Sequence, residues 1–271
     1  HGSGKMLLVL RIRADHYKSS QGFPKMTDVH VVGVGVSPSW TGDLVADFLR
    51  KIIAVSGRPS AYILDGGNNL HKGINTLTLG GQGSMSIRDI SHYAANLLKS
   101  KYGEHSDLES FLSTCGDCSK NLKQTILACL APPKIRTKAR FMNLHRLVLW
   151  AKKILKLSPV GRARSGSVLE KLRHSLLNLP KYKLFIESFL NDANIILKCQ
   201  DIIKNKGLSL DTAEECKQVI KVLPDHDSIK KGMNQWIDDH IKISQNLGLG
   251  DVGMLASSDN IESVFGLSKS H

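Results

Sequence analysis

Asp65, Glu262 and Lys269 could carry phosphoryl-transfer chemistry if the chain folds them together. Asp65 closes a short apolar stretch, Ala61-Tyr62-Ile63-Leu64, and is followed by Gly66 and Gly67. Glu262 and Lys269 stand seven apart, two turns of helix, so a helix there presents both on one face. Carboxylate oxygens are the ligands that hard Mg²⁺ takes, and two such ions can clamp the attacking and leaving oxygens of a phosphodiester. A lysine on the same face can hold phosphate. Each acid also has an ordinary reading. Asp65-Gly66 suits a turn, and Glu262, three residues after Asp259, can complete a capping box.

Other spacings carry less. Cys115-x-x-Cys118 has zinc-ligand spacing, but no second pair follows at a finger-like distance and the pair sits inside a helical pattern, so two helix-core cysteines are expected. Cys129, Cys199 and Cys216 also read as core fillers on helices. Gly2-Ser3-Gly4-Lys5 precedes a strand pattern and lacks the upstream glycine and following Ser/Thr of a phosphate-binding loop. Gly80-Gly81-Gln82-Gly83 reads as a flexible turn. More telling is the run from Lys134 to Arg164. It holds Lys134, Arg136, Lys138, Arg140, Arg146, Lys152, Lys153, Lys156, Arg162 and Arg164 with no Asp or Glu. A solvated helix face usually mixes signs, so a one-sign stretch fits phosphate contact better. Phe141, Leu144, Leu147, Val148 and Leu155 give the same helix an apolar stripe that packs it.

The elements that would position these residues follow an α/β rhythm and then a helical one. Lys5–Arg13 and Val29–Val36 alternate as strands and pair most simply antiparallel. Thr41 caps a helix over about Gly42–Val55, and Gly57 and Pro59 stop it. Ala61–Leu64 and Met85–Arg88 read as further strands, the latter leading into a helix through Tyr93, Leu97 and Leu98. Helices are then expected over Asp107–Leu130, Thr137–Leu157, Ser167–Leu177, Lys181–Asn205, Thr212–Val222 and Ser228–Leu247. Ser257-Ser258-Asp259 opens a last one. A helical block between an α/β piece and a returning helix has the shape of an insertion.

The chain has 271 residues, with 37 Lys plus Arg against 24 Asp plus Glu, a formal charge of +13 and a pI near 9.5. That balance excludes an acidic disordered solvator and favours a polyanionic partner, nucleic acid or a membrane surface. Five cysteines is an odd count that argues for a reducing interior. No apolar run approaches the roughly 20 residues of a membrane helix. A soluble, intracellular protein with no membrane partner is therefore expected.

At the stretches TDVHVVGVGVSPSWTGDLVADFL, AYILDGGNNLHKGI, IRDISHYAANLLK, LKQTILACLAPPKIRTKARFMNLHRLV and SSDNIESVFGLSK, the chain resembles a bacterial insertion-sequence transposase of the DDE type. The resemblance implies an RNase H-like core in which Asp65 ends the fourth strand as the second catalytic acid. Glu262 is then the catalytic acid of a late core helix, with Lys269 as its basic neighbour. Asp89-x-x-His92 is similar to the C/D-x-x-H element that some transposases, the hAT-like group included, carry after the fifth strand. It implies that His92 lies near the active site and helps position DNA; without the resemblance, His92 reads as a histidine inside an amphipathic helix.

The expected fold is thus α/β: an RNase H-like core (1–104), a large all-helical insertion (105–250), and a core helix bearing the catalytic Glu (251–271). Mg²⁺ or Mn²⁺ would sit on Asp65 and Glu262. Double-stranded DNA, both transposon ends and target, would be held by His92, Lys269, Arg136, Lys138, Arg140, Arg146, Lys152 and Lys153, with a homodimer left open. One departure is that such a core begins with three antiparallel strands, the first carrying the first catalytic Asp, whereas only two precede the first helix here. The first Asp is expected upstream of residue 1, with His1–Gly4 as the turn after its strand. The alternatives are a catalytically incomplete DNA-binding remnant of the same fold, or a helical nucleic-acid-binding scaffold with no enzymatic ancestry.

Overall fold

The computed structural model describes residues 4–13, 26–81, 83–134, 140–157 and 161–259. Within them the protein is mixed α/β, with two two-stranded sheets and nine α-helices. It forms two compact units, one drawn from His1–Ala94 with Lys198–His271 and the other from Ala95–Leu197.

In the first unit, β1 (Lys5–Arg11) pairs antiparallel with β2 (His30–Ser37), as its alternation suggests, with a register shift between Val9 and Leu10. One face of this hairpin meets α1 (Gly42–Ser56). Gly33 and Gly35 clear the way: a Cβ on Gly33 would run into Ile52, and one on Gly35 would come 2.8 Å from the Trp40 indole. Thr41 caps α1 by accepting the Leu44 N–H at 3.3 Å, and Trp40 Nε1 donates to the Lys5 carbonyl at 2.8 Å. The opposite face leaves Met6, Val34 and Val36 exposed.

β3 (Ala61–Leu64) leads through α2 (Asn68–Leu79) to β4 (Met85–Arg88), which lies parallel to β3 with Leu64 opposite Arg88. No helix is expected from the α2 sequence. Asn68 and Asn69 open it without a side-chain cap, and Gly73, Asn75, Thr76 and Thr78 are poor helix formers. Burial makes it a helix: Ile74 and Leu77 join Val45, Ala46, Leu49 and Leu64 in one core, with Leu7, Val9 and Tyr62 packed against it. Both sheets therefore rest on the same α1–α2 layer. The two helices touch closely at Gly73, where an added Cβ would stand 2.6 Å from a Val45 methyl and 3.0 Å from the Gly42 carbonyl oxygen. Because backbone blocks one side, Gly73→Ala is expected to destabilise the protein by about 1–3 kcal/mol in urea denaturation, despite alanine's better helix propensity.

From α3 (Ile90–Tyr102) the chain enters the second unit, which holds α4 (Ser106–Lys123), α5 (Arg140–Leu155), α6 (Val168–Leu176) and the first part of α7 (Lys183–Lys206). Tyr102, Phe111, Tyr182, Phe185 and Phe189 form its aromatic core. Inside it the buried Asp192 accepts from the Tyr102 hydroxyl at 2.7 Å and pairs with Lys101 at 2.6 Å. α4 ends at Lys123 rather than Leu130; Ala128–Leu130 is a separate 3-10 turn. Cys129 is accordingly exposed, not a core residue. Cys115 and Cys118 are buried on α4. Burial pushes both thiols up, Cys118 to about 11, which suits core packing rather than thiolate chemistry.

The chain then returns to the first unit with the end of α7, α8 (Leu210–Ile220) and α9 (Ser228–Asn246). Ser209 and Thr212 form a reciprocal capping box on α8, and Asp227 caps α9. Cys199 and Cys216 are buried where α7 meets α8, each thiol donating to the other's carbonyl at 3.8 Å. Residues 198–250, expected within the insertion, thus belong with the sheets, because α9 anchors directly on β4. Among the described residues no helix is long and apolar enough to cross a membrane.

Candidate functional site

The parallel β3–β4 pair sets the geometry. With Leu64 opposite Arg88, the next residues, Asp65 and Asp89, emerge side by side, and the Asp89 N–H continues the ladder to the Leu64 carbonyl at 3.0 Å. Carboxyl ends of parallel strands are where open α/β sheets place their ligands.

Asp65 is exposed. Its Oδ1 accepts the Gly67 N–H at 3.2 Å, a turn that the left-handed Gly66 (φ 82°) permits. Its Oδ2 has no protein partner among the described residues, so it can ligate a hard cation. His92, in the first turn of α3, lies against this turn: a Cβ on Gly66 would be 4.0 Å from the His92 Cβ. Asp65 and His92 are therefore neighbours although 27 positions separate them.

Asp89 is buried, 2% exposed. It is the N-cap of α3, its Oδ1 accepting the His92 N–H at 2.8 Å and its carbonyl the Tyr93 N–H at 3.0 Å. The D-x-x-H spacing thus has a mechanical meaning, because His92 supplies the third N–H of the helix to the capping aspartate. The other oxygen, Oδ2, accepts the Ser258 N–H at 2.5 Å and the Ser258 hydroxyl at 2.8 Å. Further bonds hold the same C-terminal strip: Met254 pairs with Leu208, the Ile90 N–H reaches the Ala256 carbonyl at 2.9 Å, and Lys204 pairs with Asp259 at 2.8 Å.

The outer edge of β4 is closed by side chains of α9. Trp236 Nε1 donates to the Arg88 carbonyl at 3.1 Å, and the Arg88 N–H donates to His240 Nε2 at 3.0 Å. With Nε2 accepting, the His240 proton sits on Nδ1 and goes to the Trp236 carbonyl at 2.7 Å. The two rings stack with centroids 4.3 Å apart. Burial lowers the His240 pKa to about 4, so the ring is neutral and structural. Arg88 itself lies over Tyr93 and 3.5 Å from Asp239.

In the second unit, α5 buries Leu144, Leu147, Val148, Ala151 and Ile154 and exposes Arg146, Lys152 and Lys153, with Lys156 exposed just past its end. None of these four cations has an ion-pair partner among the described residues. Arg140 is the first residue of α5. Arg136, Lys138, Glu262 and Lys269 lie outside the described residues. Among the described residues no group of three or more His, Cys, Asp or Glu gathers in metal-binding geometry. Asp65 Oδ2 could take a cation, whereas both Asp89 oxygens already accept hydrogen bonds.

Sequence reasoning missed the tie of Asp89 to Ser258 and the edge closure by Trp236 and His240. An Asp three residues before a histidine at a helix start signals the cap. Nothing local signals partners about 150 or more positions away. Neither the protein-family models nor the curated proteins compared with the chain match it.

Proposed function

We propose that the chain is the catalytic region of a DDE-type DNA transposase, cutting and rejoining phosphodiesters at transposon ends on an RNase H-like core. The observation that carries this reading is the tether of Ser258 to Asp89, one strand from Asp65. The described strip that ends at Asp259 thereby lies at the same end of the β3–β4 pair that bears Asp65 and His92. The topology agrees with it. An antiparallel pair and a parallel βαβ pair sharing one helical layer are what an RNase H-like core presents apart from its first strand.

Asp65 and Glu262 would hold Mg²⁺ (or Mn²⁺), which supplies charge neutralisation at the phosphodiester and activation of the attacking oxygen. Water would attack a phosphodiester first, breaking its P–O3′ bond to free a 3′-hydroxyl; that hydroxyl would then attack a target phosphodiester, whose own 3′-oxygen leaves. His92, with its backbone fixed by Asp89, orients the strand beside Asp65, and Lys269 takes a non-bridging phosphate oxygen. The test is strand cleavage by the full-length protein on a duplex carrying the ends that flank its gene. Cleavage that needs Mg²⁺ or Mn²⁺ supports the reading; duplex binding with no cleavage under any divalent ion overturns it in favour of the DNA-binding remnant.

The outward cations of α5, without an ion-pair partner among the described residues, suit duplex binding under either reading. Replacing Arg146, Lys152 and Lys153 together by Ala is expected to weaken binding uniformly across sequences. It should flatten the slope of log K against log salt by about 2 to 3, read by fluorescence anisotropy over a salt series. An unchanged slope would remove α5 from the interface.

A further inference from the structure

We infer that Asp89 is a positioning residue, whose carboxylate latches the segment leading to Glu262 onto the end of β4. Resting on the reading of Asp65 and Glu262 as the metal-holding pair, this assigns Asp89 a part distinct from theirs. Its carboxylate spans two elements 169 positions apart in sequence. One oxygen holds the head of α3 through the His92 N–H, and the other holds Ser258 through both its N–H and its hydroxyl. Asp89 is acceptor-only here, with three donors on two oxygens and almost no exposure. Such a group is costly to bury unless every donor is in place, so the bonds set one register of the 258 segment against β4.

The neighbouring contacts constrain the same strip but cannot replace the latch. The Ile90–Ala256 and Leu208–Met254 backbone bonds hold the chain two and four residues earlier. The Lys204–Asp259 pair is half exposed, and exposed pairs contribute little. Asp89 also fixes the backbone of His92, so one carboxylate sets the spacing between His92, Asp65 and Ser258. A displacement of about 1 Å in such a constellation is enough to cost about a hundredfold in rate.

Asp89→Ser in the full-length protein separates the two roles. Serine caps a helix as well as aspartate does but is too short to reach Ser258. Amide hydrogen exchange at Ser258 and Asp259 is expected to quicken about tenfold or more, while His92 and Tyr93 stay within about threefold. Ser258→Ala, which removes only the hydroxyl bond, gives a smaller change in the same direction and covers the case in which Asp89→Ser fails to fold. Unchanged exchange at Ser258 and Asp259 in both variants overturns the latch. In cleavage assays Asp89→Ser raises the Mg²⁺ concentration for half-maximal rate and lowers the maximal rate about tenfold or more, with duplex affinity unchanged. Equal loss in duplex affinity and rate, with no shift in Mg²⁺ requirement, would contradict positioning. If the wild-type protein does not cleave at all, the transposase reading fails while the exchange result still decides the latch.

Discussion

Asp65→Asn in the full-length protein is expected to reduce Mg²⁺-dependent strand cleavage by about 10³-fold or more, with duplex affinity unchanged within about twofold. The substitution is clean. Asparagine keeps the carbonyl oxygen that accepts the Gly67 N–H, so the Asp65–Gly66 turn stands, and only the charge and the second ligand oxygen are removed. Glu262→Gln is expected to act alike, and the double variant should be little worse than either alone, because residues that serve one metal site act as a unit. The readout is single-turnover nicking on a labelled duplex, with filter binding alongside. Nicking that survives both substitutions would show that the reaction centre lies elsewhere.

The second large effect is on stability and comes from His240. Its folded pKa of about 4 lies below the ordinary 6.5 because the ring is buried between Trp236 and the β4 edge. A lowered histidine pKa means that the folded state prefers the neutral ring. This contribution is therefore fully present above pH 6.5 and is lost as pH falls toward 4. Protonation at Nε2 would turn the acceptor of the Arg88 N–H into a second donor and set a cation beside Arg88. The difference between the two pKa values corresponds to about 3 kcal/mol lost across that window, levelling off below it. Urea denaturation at pH 7, 5.5 and 4 measures it. His240→Gln, whose amide oxygen can accept from the same N–H, should flatten that part of the profile while costing some packing against Trp236. A variant profile as steep as wild type would place the pH dependence in other groups.

Much of the architecture could be read from local pattern. The alternation in VHVVGVGV, the Thr41 cap and the stop at Gly57 and Pro59 place β2 and α1 within a residue or two of where they occur. Ala61–Leu64 and Met85–Arg88 are strands at the expected bounds, and Cys115 and Cys118 are helix-core residues. What escaped was held by distant partners. The α2 segment has weak intrinsic helicity and becomes a helix only when Ile74 and Leu77 bury beneath α1. The grouping of α8 and α9 with the sheets depends on Trp236 and His240 reaching a backbone about 150 positions earlier. In the site, Asp65 was legible from a strand end, and His92 only through the resemblance of Asp89-x-x-His92 to a transposase element. Their adjacency comes from the parallel register of β3 and β4, and the role of Asp89 from a serine near the other end of the chain.

Asp65 and Glu262, nearly two hundred positions apart, are proposed to ligate the same divalent ions. Paramagnetic broadening by Mn²⁺ in the isotope-labelled full-length protein measures this without any need for DNA or turnover. Shared ligation predicts that Mn²⁺ broadens amides at 65–67, at His92 and at 261–263 together, and that Asp65→Asn relieves all three sets at once. Broadening confined to one set, or surviving at 261–263 when Asp65 is replaced, would contradict it.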